Sequence, residues 1–179
     1  MQGKARTCGT AAGMLALAPS LALAAADLEA HLAITGSATM PDGVDHVEYA
    51  LAVVNAGDTP ADATKVLARL PDEFVGPQWT CVAEGGAACG LEAGSGDILF
   101  ETGMPPGAAV RIALVTGVHD PRGRGVTLVL ETVTASAEPD QADNVASATY
   151  QRCSATAPMP GDGEPAPYGC TFRDSFEPR

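Results

Sequence analysis

Two cysteines and the only tryptophan of the chain fall within "WTCVAEGGAACGL", Trp79 to Leu91. Thiols at such spacing can bind a metal, cycle between dithiol and disulfide, or form a permanent crosslink. A tetrahedral zinc site needs closer pairs, such as a repeated C-x-x-C, or further Cys and His at ligand spacing, and neither is present. A thioredoxin-like redox pair has two residues between its cysteines, whereas seven lie between Cys81 and Cys89. The crosslink fits. With Glu84, Gly85 and Gly86 as a three-residue hairpin loop, Ala83 faces Ala87 and Cys81 faces Cys89. Opposed residues of an antiparallel pair stand roughly 4.5 to 5.5 Å apart, within reach of a disulfide. With Cys8 inside the N-terminal leader, the remaining four cysteines allow three pairings, and this one, chosen on hairpin geometry, leaves Cys153 to pair with Cys170.

Carboxylates offer a second chemistry. "PDGVD" supplies Asp42 and Asp45, and "EPDQADN" supplies Glu138, Asp140, Asp143 and Asn144. Ca²⁺ takes six to eight oxygen ligands, and end loops of a sandwich converge, so Asp140, Asp143 and Asn144 are the candidate metal ligands and Ca²⁺ the one candidate cofactor. No ordered D-x-D-x-D-G loop is present, and the competing reading is solvated turns whose Asp and Asn side chains cap their own backbone. His31, His46 and His119 form no i, i+4 pair around a Glu, and neither a G-x-S-x-G elbow nor a Gly-rich phosphate loop occurs. No catalytic residue is assigned, and no enzymatic activity is expected. Phe172 and Phe176 share one face of an extended C-terminal stretch, a pair suited to strand addition on an envelope partner.

The elements that must position these residues read as strands. In "HVEYALAVVNAG" Val47, Tyr49, Leu51 and Val53 alternate with Glu48, Ala50 and Ala52, so one face turns inward. Val110, Ile112 and Leu114 repeat the pattern, as do Val126, Leu128 and Leu130. Turn chemistry separates the runs at "MPDGVD", "NAGDTPAD", "GSGD", "MPPGA" and "HDPRGRG". Residues Ala61 to Leu70 have helical propensities, yet Pro60 and Pro71 bracket them and Val66, Ala68 and Leu70 alternate with charged or outward neighbours, which predicts a strand. The expected fold is an all-β, immunoglobulin-like antiparallel sandwich of about seven strands over residues 27–151. Residues 152–179, rich in Pro and Gly, form an irregular tail closed by the second disulfide.

Residues 1–26 read as a secretory signal peptide. Lys4 and Arg6 precede an apolar run from Thr10 that ends in small residues, with cleavage after Ala24 or Ala26. Pro19 interrupts a run already short for a bilayer span of roughly 20 residues. The expected location is therefore the periplasm or the extracellular space, where disulfides persist. Loss of Lys4 and Arg6 deepens the net charge from −12 to −14. Such a field repels phosphate backbones, so nucleic acid is excluded as a partner. An envelope or extracellular protein, or a glycan, is the expected partner.

Several pieces occur together in one order: "ADL" from Ala26, "VEYALAVVNAGDTPADATKVLARLPDEF" from Val47, "WTC…C" from Trp79, "MPPG" from Met104 and "DNVASATY" from Asp143. The set resembles the bacterial conserved-repeat domain, the domain-of-unknown-function eleven family, over about 125 residues. The resemblance implies an immunoglobulin-like sandwich in exported or surface proteins, often in tandem arrays, and it brings no catalytic residue. Here the domain occurs in a single copy. The ending "FRDSFE" also looks like short aromatic-acidic endings of some secreted gram-negative proteins.

Overall fold

The computed structural model describes residues 24–152. Most of the expected leader, the Cys153–Cys170 bridge, and Phe172 and Phe176 lie outside the described residues. Nine strands follow in order: β1 (Leu28–Ala38), β2 (Asp45–Asn55), β3 (Ala61–Ala68), β4 (Phe74–Glu84), β5 (Ala93–Gly94), β6 (Ile98–Met104), β7 (Ala109–Val118), β8 (Val126–Val133) and β9 (Val145–Tyr150). The excess over seven includes the two-residue β5. One sheet runs β1-β2-β7-β4-β5 and the other β6-β3-β8-β9, with every pairing antiparallel. No helix occurs among the described residues.

The inward stripes are those the alternation predicts. Val47, Tyr49, Leu51 and Val53 of β2 are at most 2% exposed, and Val110, Ile112 and Leu114 of β7 at most 3%. From the second sheet Val126, Leu128 and Leu130 of β8 meet them, with Val66 of β3 and Ile98 of β6. Each such side chain contributes roughly 1.5–3 kcal/mol by leaving water, so the two facing stripes hold the layers together. Tyr49 packs on Phe74 at 5.6 Å between ring centroids, and its hydroxyl is buried without a hydrogen-bond partner.

Bulges change the phase of three strands. In β3 the register jumps between Ala61 and Thr64, with Ala63 at φ 50°. Ala61 and Thr64 are consequently both buried although three apart, while Val66 and Ala68 keep the predicted parity. In β4 the register jumps between Val75 and Gln78, across Gly76 and Pro77. Phe74 and Trp79, five apart, can then both face inward. β1 carries the third, at Thr35 between Ile34 and Gly36.

Cys81 and Cys89 are bonded, with Cα atoms 6.1 Å apart, but the hairpin drawn from sequence is not the one observed. Ala87 N donates to Glu84 O, so only Gly85 and Gly86, at φ 67° and 93°, occupy the turn. Cys81 N donates to Glu92 O, and Thr80 pairs with Ala93. Cys89 therefore lies outside any strand. The returning chain is drawn to the other sheet: Ala88 N donates to Thr102 Oγ1 at 3.0 Å, and Gly90 sits so close to Phe100 that a Cβ would come within 2.5 Å of it. Residues 85–92 thus form a strap from β4 to β6 across one side of the sandwich. Closing nine residues stabilises by about 2.5 kcal/mol on loop entropy. Beneath the strap Trp79 Nε1 donates to Gly96 O at 2.9 Å, and its ring lies over Gly94, where a Cβ would approach to 2.4 Å.

Asn55, fully buried at the end of β2, joins four chain segments. Its Oδ1 accepts from Asp27 N and Gly57 N, and its Nδ2 donates to Thr59 O at 2.9 Å and Met104 O at 2.8 Å. Its own backbone pairs with Ala108 O and Gly107 N. Truncation would strand several buried groups at once, each costing about 1–3 kcal/mol. Asn55→Ala is expected to lower unfolding free energy by at least about 3 kcal/mol in urea titration, and a loss below about 1 kcal/mol would remove this hub from the account.

Candidate functional site

The outward face of the five-stranded sheet holds an open trough of about 640 Å³. Its floor is built by register. Ala33 of β1, Ala50 of β2 and Ala113 of β7 lie in one row across three neighbouring strands, continued by Thr80 of β4. The next row is His31, Ala52, Arg111 and Val82. His31 and Arg111 stand two strands apart, roughly 10 Å at ordinary strand spacing, with only the Ala52 methyl between. On the other flank Glu48, Val115 and Gln78 form a third row. The result is a methyl-floored corridor between taller side chains. Val82 is 60% exposed and Val115 39%, so apolar surface continues onto the walls. The aromatics of these strands, Tyr49, Phe74 and Trp79, all point inward.

The charged groups of the walls are paired at their own edges. His31 Nε2 lies 3.2 Å from Glu29, Arg111 Nε 3.5 Å from Glu84, and His46 Nε2 3.5 Å from Glu48. These are exposed pairs of small energetic weight. They hold the longer side chains at the margins of the corridor, and Arg111 and Glu84 offset one another there. His119 sits in the loop after β7, its amide donating to Glu73 O. The three histidines remain on separate elements.

The acidic residues predicted as metal ligands gather where β9 begins beside β1. Ala30 N donates to Asp143 O at 2.8 Å and Thr132 N to Asn144 O at 2.9 Å, so this segment stitches the second sheet to the first. Glu138 accepts from Leu28 N and from Asn144 Nδ2. Asp140 caps Ala142 N at 3.0 Å in an Asx turn. Asp143 Oδ1 and Asn144 Oδ1 are buried without hydrogen-bond partners. Even so, no three His, Cys, Asp or Glu side chains among the described residues converge closely enough to hold a metal ion.

Asp45, the other predicted loop oxygen donor, is structural. It is 1% exposed, accepts from Tyr150 Oη at 2.8 Å, and lies 3.2 Å from Arg152 Nη2. Burial first, then its bond to Asp45, push the Tyr150 phenol up to about 12. Asp42 caps Val44 N at 3.0 Å. Asp120 does the same work in the β7–β8 loop, accepting from the amides of Arg122, Arg124 and Gly125.

Sequence reasoning missed the trough because its floor joins strands that are not consecutive in the chain. The signal available was the outward row of alanines opposite the inward stripe of β2 and β7.

Desolvation, followed by the charges of Asp140, Asp27 and Glu29, raises the Asp143 carboxyl above its ordinary range. A raised carboxyl disfavours the folded state once ionised, and the penalty disappears as pH falls through the folded value. Asp143→Asn is therefore expected to raise the melting temperature at pH 7, with the gain closing near roughly pH 3. A decrease of equal size at every pH would show that the side chain acts independently of its ionisation and would remove this account.

The chain matches no family model, and no curated protein matches it by sequence. Among solved structures it is similar to the collagen-binding domain from a Staphylococcus aureus adhesin, at 6% identity and a TM-score of 0.41. That alignment covers 71% of this chain and 97% of the adhesin domain.

Proposed function

We propose that the chain is an exported, non-enzymatic β-sandwich module that holds an extended segment of an envelope or extracellular protein in the trough over Ala33, Ala50 and Ala113. The observation that carries this reading is the corridor itself: about 640 Å³ of open space, floored by methyl groups and flanked by the His31–Glu29 contact and the Arg111–Glu84 ion pair. Polypeptide in extended form fits such a surface, since it offers small apolar side chains to the floor and backbone amides to Thr80 and the wall groups. A glycan is the weaker occupant. Sugar rings are gripped by stacking on exposed aromatic rings, and those of this sheet are buried. Export is supported by the positively charged, apolar N-terminal run and by the Cys81–Cys89 bridge, a bond that persists in oxidising compartments. The resemblance to the conserved-repeat domain points the same way. No helix among the described residues is long and apolar enough to cross a membrane.

Ala50 is exposed, so Ala50→Arg fills the corridor while sparing the core. Titration of the ¹⁵N-labelled protein with neutral, Gly- and Ala-rich extended peptides is expected to shift the amides of residues 31–33, 50–52 and 111–113. Ala50→Arg is expected to weaken that binding at least tenfold, and neutral oligosaccharides to leave these amides unmoved. Perturbations confined to other surfaces, or equal ones from the oligosaccharides, would defeat the peptide reading.

A second reading is a Ca²⁺-assisted recognition module built on Asp140, Asp143 and Asn144, favoured by the two buried oxygens without partners. Millimolar Ca²⁺ is expected on this reading to raise the melting temperature of wild type and not of Asp143→Asn. An unchanged melting temperature in both disposes of it.

A further inference from the structure

The two cleavage positions allowed by the sequence, after Ala24 and after Ala26, leave very different chains to fold. Residues 25–27 are built into the sandwich. Ala26 is wholly buried in the core cluster. Ala25 O accepts from Asp58 N at 3.2 Å, and Asp27 O from Ala56 N at 2.7 Å, so the segment runs as a backbone ladder against the β2–β3 connection. Gly57 makes that approach possible, because a Cβ there would lie 2.4 Å from Ala25 O and 2.6 Å from Asp27 N. Ala25 N lies 3.0 Å from Asp58 Oδ1. Ala24, by contrast, is exposed.

We propose that export processing cuts the Ala24–Ala25 bond, and that the α-ammonium so created pairs with the Asp58 carboxylate. The inference rests on the exported reading above and names the site at which it is completed. The step is a hydrolysis by a membrane-bound signal peptidase. Water supplies hydroxyl to the Ala24 carbonyl and a proton to the released Ala25 nitrogen, which takes a second proton from solvent near neutral pH. The site satisfies the small-residue rule, since "ALA" from Ala22 to Ala24 precedes the bond. An amide already aimed at a carboxylate becomes a charged donor at the same position, which strengthens the hydrogen bond. Cutting after Ala26 does the reverse. It removes the buried Ala26 methyl and the Ala25 carbonyl that serves Asp58 N. It also moves the new ammonium to Asp27, whose nitrogen faces the buried Asn55 Oδ1 at 3.3 Å. A charge placed there loses hydration.

Full-length chain expressed in a gram-negative host, recovered from the periplasm and read by N-terminal sequencing and intact mass, is expected to begin AADLEA, at Ala25. A periplasmic chain beginning DLEAHL, at Asp27, overturns this inference and leaves the export reading standing; a full-length chain retained in the cytoplasm overturns both. As a second measurement, chains beginning at Ala25 and at Asp27, each running to Arg179, are compared by thermal melting. The longer chain is expected to melt higher by about 4 °C or more. Asp58→Asn is expected to lower the melting temperature of the longer chain and to leave the shorter nearly unchanged. Equal melting temperatures, or an equal effect of Asp58→Asn in both, would refute the ion pair.

Discussion

One buried amide sets much of the geometry. Asn55 ends β2, and from that point its side chain reaches the incoming N-terminal segment at Asp27, the turn at Gly57 and Thr59, and the end of β6 at Met104. A buried polar group is tolerated only when its donors and acceptors are met. Asn55 is met on all sides by backbone, so the identity of its neighbours' side chains matters less than their path. This fixes where the second sheet starts relative to the first. It also explains why a polar residue occupies the last inward place of a stripe otherwise made of Val47, Tyr49, Leu51 and Val53.

Two side closures complete the sandwich begun by those stripes. On the β1–β9 side, backbone bonds through Asp143 and Asn144 join the sheets, at the expense of crowding acidic groups around Asp27 and Glu29. On the other side the disulfide strap runs from β4 to β6. With both flanks occupied, the outer face of the five-stranded sheet stays open over the trough. Its small side chains on β2 and β7 make no contribution to the core, and their burden is shape alone.

Much of the fold was legible because burial imposes a period of two, and the inward residues of β2, β7 and β8 announce it. The strand over Ala61–Ala68 followed from its flanking prolines, with Val66 and Ala68 in the expected phase. What the alternation could not give was its interruptions: a bulge adds one residue at a place decided by neighbouring strands, as at Ala63 and at Gly76–Pro77. The Cys81–Cys89 bond was legible from spacing and its register was not, because Thr102 and Phe100, far along the chain, divert the returning segment. Asn55 looked like an ordinary turn residue in "NAGDTP". Its role depends on Met104 and Asp27, which no local window contains. Asp45 was read as a loop ligand for the same reason, since its partners Tyr150 and Arg152 lie over a hundred positions away.

The strap has a protective side. β6 ends its sheet and β5 gives β4 only two residues of cover, so a bare flank here would present backbone for a foreign strand to extend. The Cys81–Cys89 bond and the Gly90 contact lay a short, irregular segment over that flank, where it offers no continuous ladder to copy. The oxidised protein therefore keeps that flank occupied, whereas reduction would cut the tether that holds the segment over it.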